Sequence, residues 1–145
     1  MRQLAGQKGN SVVEFALIYP VVFVAMGGLF GLGHAFYAYN SLQSAMRSAA
    51  RYGSLAPYDL PNGTGWKAAV RNMAVYGDPD PGPNARSLVP GLTLANVQAS
   101  AYVPETEPIM VTVAVTNFEY DFIFTKFNTS QPVVTFPFLG RALIP

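Results

Sequence analysis

At 145 residues the chain is long enough for one modest domain and an appendage, and it has no cysteine, which excludes disulfides, thiolate chemistry and cysteine-ligated metal sites. Nine Lys and Arg stand against eight Asp and Glu with no basic stripe, so nucleic acid is not an expected partner. Half of the residues are hydrophobic and only 12% are charged, an apolar balance for a soluble protein of this size.

The apolar excess is concentrated near the start. Residues 1–9 are short and polar, and Arg2 and Lys8 give a positive lead-in to an apolar run, as export signals begin. From Phe15 to Gly33 no residue carries a formal charge. As a helix this stretch spans about 28 Å, close to the hydrocarbon thickness of a bilayer, so one membrane span is expected. Pro20 lies inside it, where it removes one backbone donor and crowds the carbonyl of Ala16, a local opening or kink that membrane helices tolerate. Further on, "GGLFGLGHA" sets Gly27, Gly31 and Ala35 four residues apart. A helix face without side chains lets helices approach closely in a membrane, although glycine is also simply commoner in such helices.

Beyond Gly33 the segment "HAFYAYNSLQSAMRSAARYG" keeps a helical period, with Tyr39, Leu42, Met46 and Ala49 on one stripe and Asn40, Ser44, Arg47, Ser48 and Arg51 on the opposite one. Gly53 is the first stop signal, a C-terminal cap followed by Pro57. A helix from Asn10 to Tyr52 is about 65 Å long, roughly twice what a bilayer needs. Its second half must pack on the downstream domain, on like helices of other subunits, or on both. The small residues Ala45, Ala49 and Ala50 admit neighbours on more than one face.

The remainder reads as a small α+β domain. "NGTGWKAAVRNMAVYG" offers Asn62 or Thr64 as a cap, then Trp66, Ala69, Val70, Met73 and Ala74 at helical spacing, and Gly77 as a stop. The proline-rich "DPDPGPNARSLVPG" is a loop. "LTLANVQASAYV" and "IMVTVAVTNFEY" alternate as strands about the turn "PETEP", which predicts an antiparallel hairpin using Leu92 to Val103 and Ile109 to Phe118. A further strand is expected in "VVTFPFL", where Pro137 marks an edge or the end of pairing. "FEYDFIFTKF" is aromatic-rich and fits either a strand or a segment laid on the long helix.

No catalytic constellation emerges, so the chain is not read as an enzyme, and no metal or other cofactor is expected. His34 is the single histidine, at the end of an apolar helix, where an interfacial role outweighs proton transfer. Asp78 and Asp80 sit among prolines in a loop and read as solvated turn residues. The sequons Asn62-Gly63-Thr64 and Asn128-Thr129-Ser130 carry little weight alone.

Glu14 is the residue that demands a reason, because a carboxylate at the centre of a membrane segment costs about 2.5–3.5 kcal/mol on insertion scales, and less near an interface. A headgroup position beside the helix N-terminus explains its tolerance. Its surroundings are more specific than that explanation requires: Glu14 is fifth after Gly9 and is followed at once by Phe15. This pattern resembles the type IV prepilin processing site, and more closely that of the tight-adherence (Tad, or Flp) pilus system. The stretch from Gly9 to Ala56 is similar to the N-terminal signature of TadE-like proteins, the pseudopilins or minor pilins of that system. It has Val-Glu-Phe-Ala, an early proline, a Gly-rich middle, Tyr-Asn-Ser-Leu-Gln and an Ala-Arg-Tyr-Gly end. The major Flp pilin pattern differs, with tyrosine where Phe15 stands here and little beyond its helix.

The resemblance implies an α+β, type IV pilin-like protein: a leader at 1–9, a transmembrane and amphipathic helix at 10–53, and an exported head with a small antiparallel sheet at 54–145. It implies cleavage between Gly9 and Asn10 by a membrane prepilin peptidase. The new amine of Asn10 would then pair with Glu14 of a neighbouring subunit and favour one axial register, with Phe15 beside it. Implied partners are that peptidase, other pilin or pseudopilin subunits, an inner-membrane assembly platform, and membrane lipid before assembly. The implied location is the bacterial inner membrane with a periplasmic or extracellular head, then the pilus or cell surface, with a part in assembly and surface adhesion. Two alternatives remain open on the residues alone. One is a secreted periplasmic domain with an ordinary signal peptide cut after Gly33-His34-Ala35, and the other is an uncleaved membrane anchor.

Overall fold

The computed structural model describes residues 7–60, 62–104, 107–122, 125–140 and 142–143. In chain order they form helix α1 (Gln7–Leu55), strand β1 (Tyr58–Asp59), helix α2 (Thr64–Tyr76), and strands β2 (Val97–Tyr102), β3 (Met110–Val115), β4 (Phe118–Phe122), β5 (Thr125–Thr129), β6 (Val133–Pro137) and β7 (Ala142–Leu143). The expected α+β architecture is present, and α1 is helical without a break between Gly33 and Asn40. Two compact units divide between Tyr37 and Ala38.

The first unit contains the apolar part of α1. Helix α1 is long and apolar enough to cross a membrane, and Phe15, Leu17, Val21, Phe23, Leu29 and Phe30 are all exposed. Pro20 stands inside the helix, which continues through it.

The second unit, from Ala38, is built on the remainder of α1. Leu42, Ala45, Met46, Ala49 and Ala50 are buried there, and Ser44, Arg47, Ser48 and Arg51 are exposed, as the helical period predicts. Tyr39 departs from its predicted stripe and is 44% exposed, because the core begins at Leu42. Against these residues pack Trp66, Val70, Ala74 and Val75 of α2, Val89 and Leu92 of the following loop, and Val97, Val111, Val113 and Val115 of the sheet. Full burial of each large aliphatic side chain stabilises by about 1.5–3 kcal/mol.

Gly53 does not cap α1, which runs on to Leu55. It is a point of close approach: a Cβ here would stand 2.9 Å from Val70 Cγ2, 3.0 Å from Trp66 Cζ2 and 3.2 Å from Val111 Cγ1. The Gly53 carbonyl accepts a 2.9 Å bond from Trp66 Nε1–H. Gly77, in contrast, ends α2 as expected, with φ 77° and its N–H on the Met73 carbonyl.

The start of α2 also differs from the sequence expectation. Its cap position is Gly63, and no side chain at Asn62 or Thr64 serves its first turn. Asp59 does so from upstream, its two carboxylate oxygens accepting the N–H groups of Gly65 and Trp66 at 2.9 Å each. These bonds, that from Trp66 first, hold the Asp59 pKa below the usual carboxylate value, against an opposing effect of desolvation. A depressed folded-state pKa adds stability above the unfolded value of about 4, and that contribution is lost as pH falls through the folded one. Asp59→Ala should therefore cost about 1 kcal/mol at neutral pH, as helix caps do. The gap between the two proteins in thermal melts should close as the pH is lowered below the usual carboxylate range. A gap that stays constant with pH would remove Asp59 from this role.

The sheet is three-stranded and antiparallel in the order β2-β3-β6. The β2–β3 hairpin pairs as predicted, with Val97 opposite Val115 and Tyr102 opposite Met110, and β3 alternates strictly, Val111, Val113 and Val115 buried; the second strand is shorter than the expected Ile109 to Phe118, because the chain turns at Thr116 and Asn117 and Phe118 begins β4. A single 3-10 turn, Leu94–Asn96, replaces the expected beginning of β2. There the Asn96 amide donates to the carbonyls of Thr116 and Asn117 and ties this turn to the next one, where Asn117 has φ 49°. Strand β6 ends at Pro137 on the edge of the sheet. The Val115 N–H bonds to the Pro132 carbonyl, so the alternation turns the backbone of Pro137 outward, where a missing donor is harmless. The ambiguous aromatic stretch forms an antiparallel pair of its own, β4 with β5, and β1 pairs in parallel with β7 over two residues each.

Candidate functional site

Every residue singled out for processing, assembly or helix packing lies on α1 within the first unit. Gly9 and Asn10 fall in the opening turns of the helix, and the side chain of Asn10 is outside the described residues. Glu14 is exposed one turn further on. Beside it Phe15 begins an aromatic ladder at four-residue spacing, 5.7 Å from Tyr19 between ring centroids, with Tyr19 6.2 Å from Phe23. All three rings remain more than half exposed.

At about 100° per residue, Pro20, Gly27, Gly31 and Ala35 share one stripe of the helix, and Glu14 stands about 120° away from Pro20. The carboxylate therefore lies off the small-residue stripe, nearest its Ala35 margin. Gly27 and Ala35 are half-buried and Gly31 is buried, while a Cβ on Gly27 would meet nothing within 4 Å. At Gly27 the face is clear of the chain's own side chains. If it packs against another helix, Gly31→Leu should lower crosslinking between neighbouring subunits in the membrane severalfold with insertion unchanged, because small residues set the distance of closest approach. Equal crosslinking would return these glycines to the ordinary composition of membrane helices.

His34 lies with Met26, Leu29, Phe30 and Gly33 around a shallow depression of the helix surface. Asp78 is a turn residue whose carboxylate accepts the N–H of Asp80 at 3.0 Å. Among the described residues no group of three His, Asp or Glu is placed to hold a metal ion. Sequence reasoning missed Asp59 and Asn96, whose side chains set the start of α2 and the turns beside the sheet.

Residues 9–51 match the family model described as TadE-like protein. No curated protein and no solved structure matches the chain. The match opens at Gly9, includes Glu14, Phe15, Pro20 and the glycine face, and ends at Arg51. The resemblance read from the sequence is borne out over this segment.

Proposed function

We propose that the chain is a minor pilin or pseudopilin of a Tad pilus, a structural subunit with no catalytic role of its own. The observation that carries the reading is the TadE-like match over residues 9–51, on an apolar helix that continues into a folded α+β head. In this reading residues 1–9 are a leader removed by a prepilin peptidase, residues 10–53 anchor the subunit before assembly and pack in the filament after it, and residues 54–145 are the exported head. Other pilin subunits and the inner-membrane assembly platform are its partners, and the head serves assembly and surface adhesion.

Glu14 has a physical task in this scheme. A carboxylate in apolar surroundings is costly unless it is paired, and cleavage after Gly9 creates an ammonium on Asn10 that a neighbour's Glu14 can meet. Only one axial offset between helices makes that pair. The continuity of α1 through Gly33, His34 and Ala35 weighs against a signal-peptidase cut there, since it would sever the helix ahead of its packed part. The test is the intact mass of protein from the native cell. A chain starting at Asn10 supports the reading, one starting at Phe36 makes it a secreted domain, and one retaining Met1 or Arg2 makes it an unprocessed anchor.

A further inference from the structure

The two edges of the three-stranded sheet are not equivalent. The β6 edge carries Pro137, which has no donor to offer. At the other edge lies β2. Thr116 N–H donates to the Asn96 carbonyl at 2.7 Å, one step past the Val97–Val115 pair. By the alternation of antiparallel pairing, Asn96, Gln98 and Ser100 turn their backbone groups toward β3, and Ala99 and Ala101 turn theirs outward. Neither proline nor lysine interrupts this strand, "VQASAY".

Along this edge runs an open groove of about 460 Å³, lined by Gln98, Ala99 and Ser100 on the strand side and by Lys67 and Arg71 of α2 on the other. One Nη of Arg71 donates to the Leu94 carbonyl, which fixes the guanidinium, while its Nε is buried without a hydrogen-bond partner. Among the described residues neither Lys67 nor Arg71 meets a carboxylate. The groove therefore combines unpaired strand donors and acceptors with two cations that lack a counter-charge.

We propose that this groove binds an extended acidic segment of a partner protein, which adds as a strand to the outer edge of β2 and sets carboxylates against Lys67 and Arg71. Main-chain bonds to Ala99 and Ala101 supply the pairing, and charge selects the sequence.

The test uses the full chain in detergent micelles and two acetylated peptides, Thr-Val-Asp-Val-Asp-Val-Thr and its counterpart with lysine in place of both aspartates. The aspartate peptide should slow amide hydrogen exchange at Ala99 and Ala101 by tenfold or more, and the lysine peptide should not. Lys67→Glu should reverse that preference, with Lys67→Gln reducing it if the reversed charge unsettles the fold. Ala101→Pro, which removes an outward donor from an edge strand, should abolish protection by either peptide. Equal protection by both peptides, or by neither, overturns the proposal. So does protection that rises with protein concentration alone, which would make a second copy of the chain the occupant.

Discussion

Replacing Trp66 with alanine is expected to bring the head to the edge of unfolding. Trp66 is 3% exposed, its ring lies 5.3 Å from that of Tyr58, and its indole N–H is the donor to the Gly53 carbonyl. Aromatic-to-alanine changes in a core cost about 3–5 kcal/mol. Whole domains hold only about 5–15 kcal/mol, and small ones lie toward the lower end. Trp66→Phe keeps most of the buried area but leaves the Gly53 carbonyl unsatisfied, and should cost about 1–3 kcal/mol from that source. The same contact can be attacked from the other side. Gly53→Val forces a side chain into atoms already 2.9–3.2 Å from its Cβ, so overpacking of about 1–3 kcal/mol should outweigh the roughly 1 kcal/mol that glycine costs inside a helix. Hydrogen exchange at Val111 and Val113 in the full chain reads the loss without relying on the single tryptophan. A deficit below about 1 kcal/mol for Trp66→Ala would mean that the core does not close around this ring.

Why Gly53 misled the sequence reading follows from the same contact. A glycine after a helical period reads as a stop by local rules, and here its partner arrives thirteen residues later, from another helix. The start of α2 escaped for a similar reason. Caps are sought at the residue adjoining the helix, whereas Asp59 reaches Gly65 and Trp66 from β1, with a left-handed Gly63 between them. The parallel pairing of Tyr58–Asp59 with Ala142–Leu143 has no local signature at all. Local rules worked where local physics decides. The period of α1 named Leu42, Met46 and Ala49, the alternation of "IMVTVAVTNFEY" marked it as a strand, and Pro137 marked an edge or the end of pairing because proline lacks an N–H in any context. For the candidate site, helical spacing was enough to group Gly27, Gly31 and Ala35 on one face. Tyr39 fell outside the core because periodicity fixes a direction around the helix, not the point along it where packing begins.

The variants that separate processing from assembly should show the largest functional effects. Gly9→Leu is expected to leave the full precursor in the membrane, for two reasons that act together. A leucine places a bulky side chain next to the bond to be cut, and it replaces a glycine, which weakens a helix by about 1 kcal/mol relative to alanine, in a turn that must open for the peptidase. Glu14→Ala should behave in the opposite way. Its chain should be cut to begin at Asn10 at the normal rate, because the carboxylate lies one turn beyond the bond, yet it should enter filaments poorly. An unpaired ammonium on Asn10 would then face apolar neighbours, and no axial offset would be favoured over another. Glu14→Gln distinguishes charge from shape: a hydrogen bond alone should restore little of the assembly that the ion pair supports. The readouts are intact mass for the cut and the ratio of sheared filament to membrane-bound subunit for assembly. Glu14→Ala that assembles normally would leave the carboxylate as an interfacial residue beside the helix N-terminus. A Gly9→Leu chain still beginning at Asn10 would mean that the cut does not depend on glycine, and what directs the peptidase to this bond would have to be sought in the residues around it.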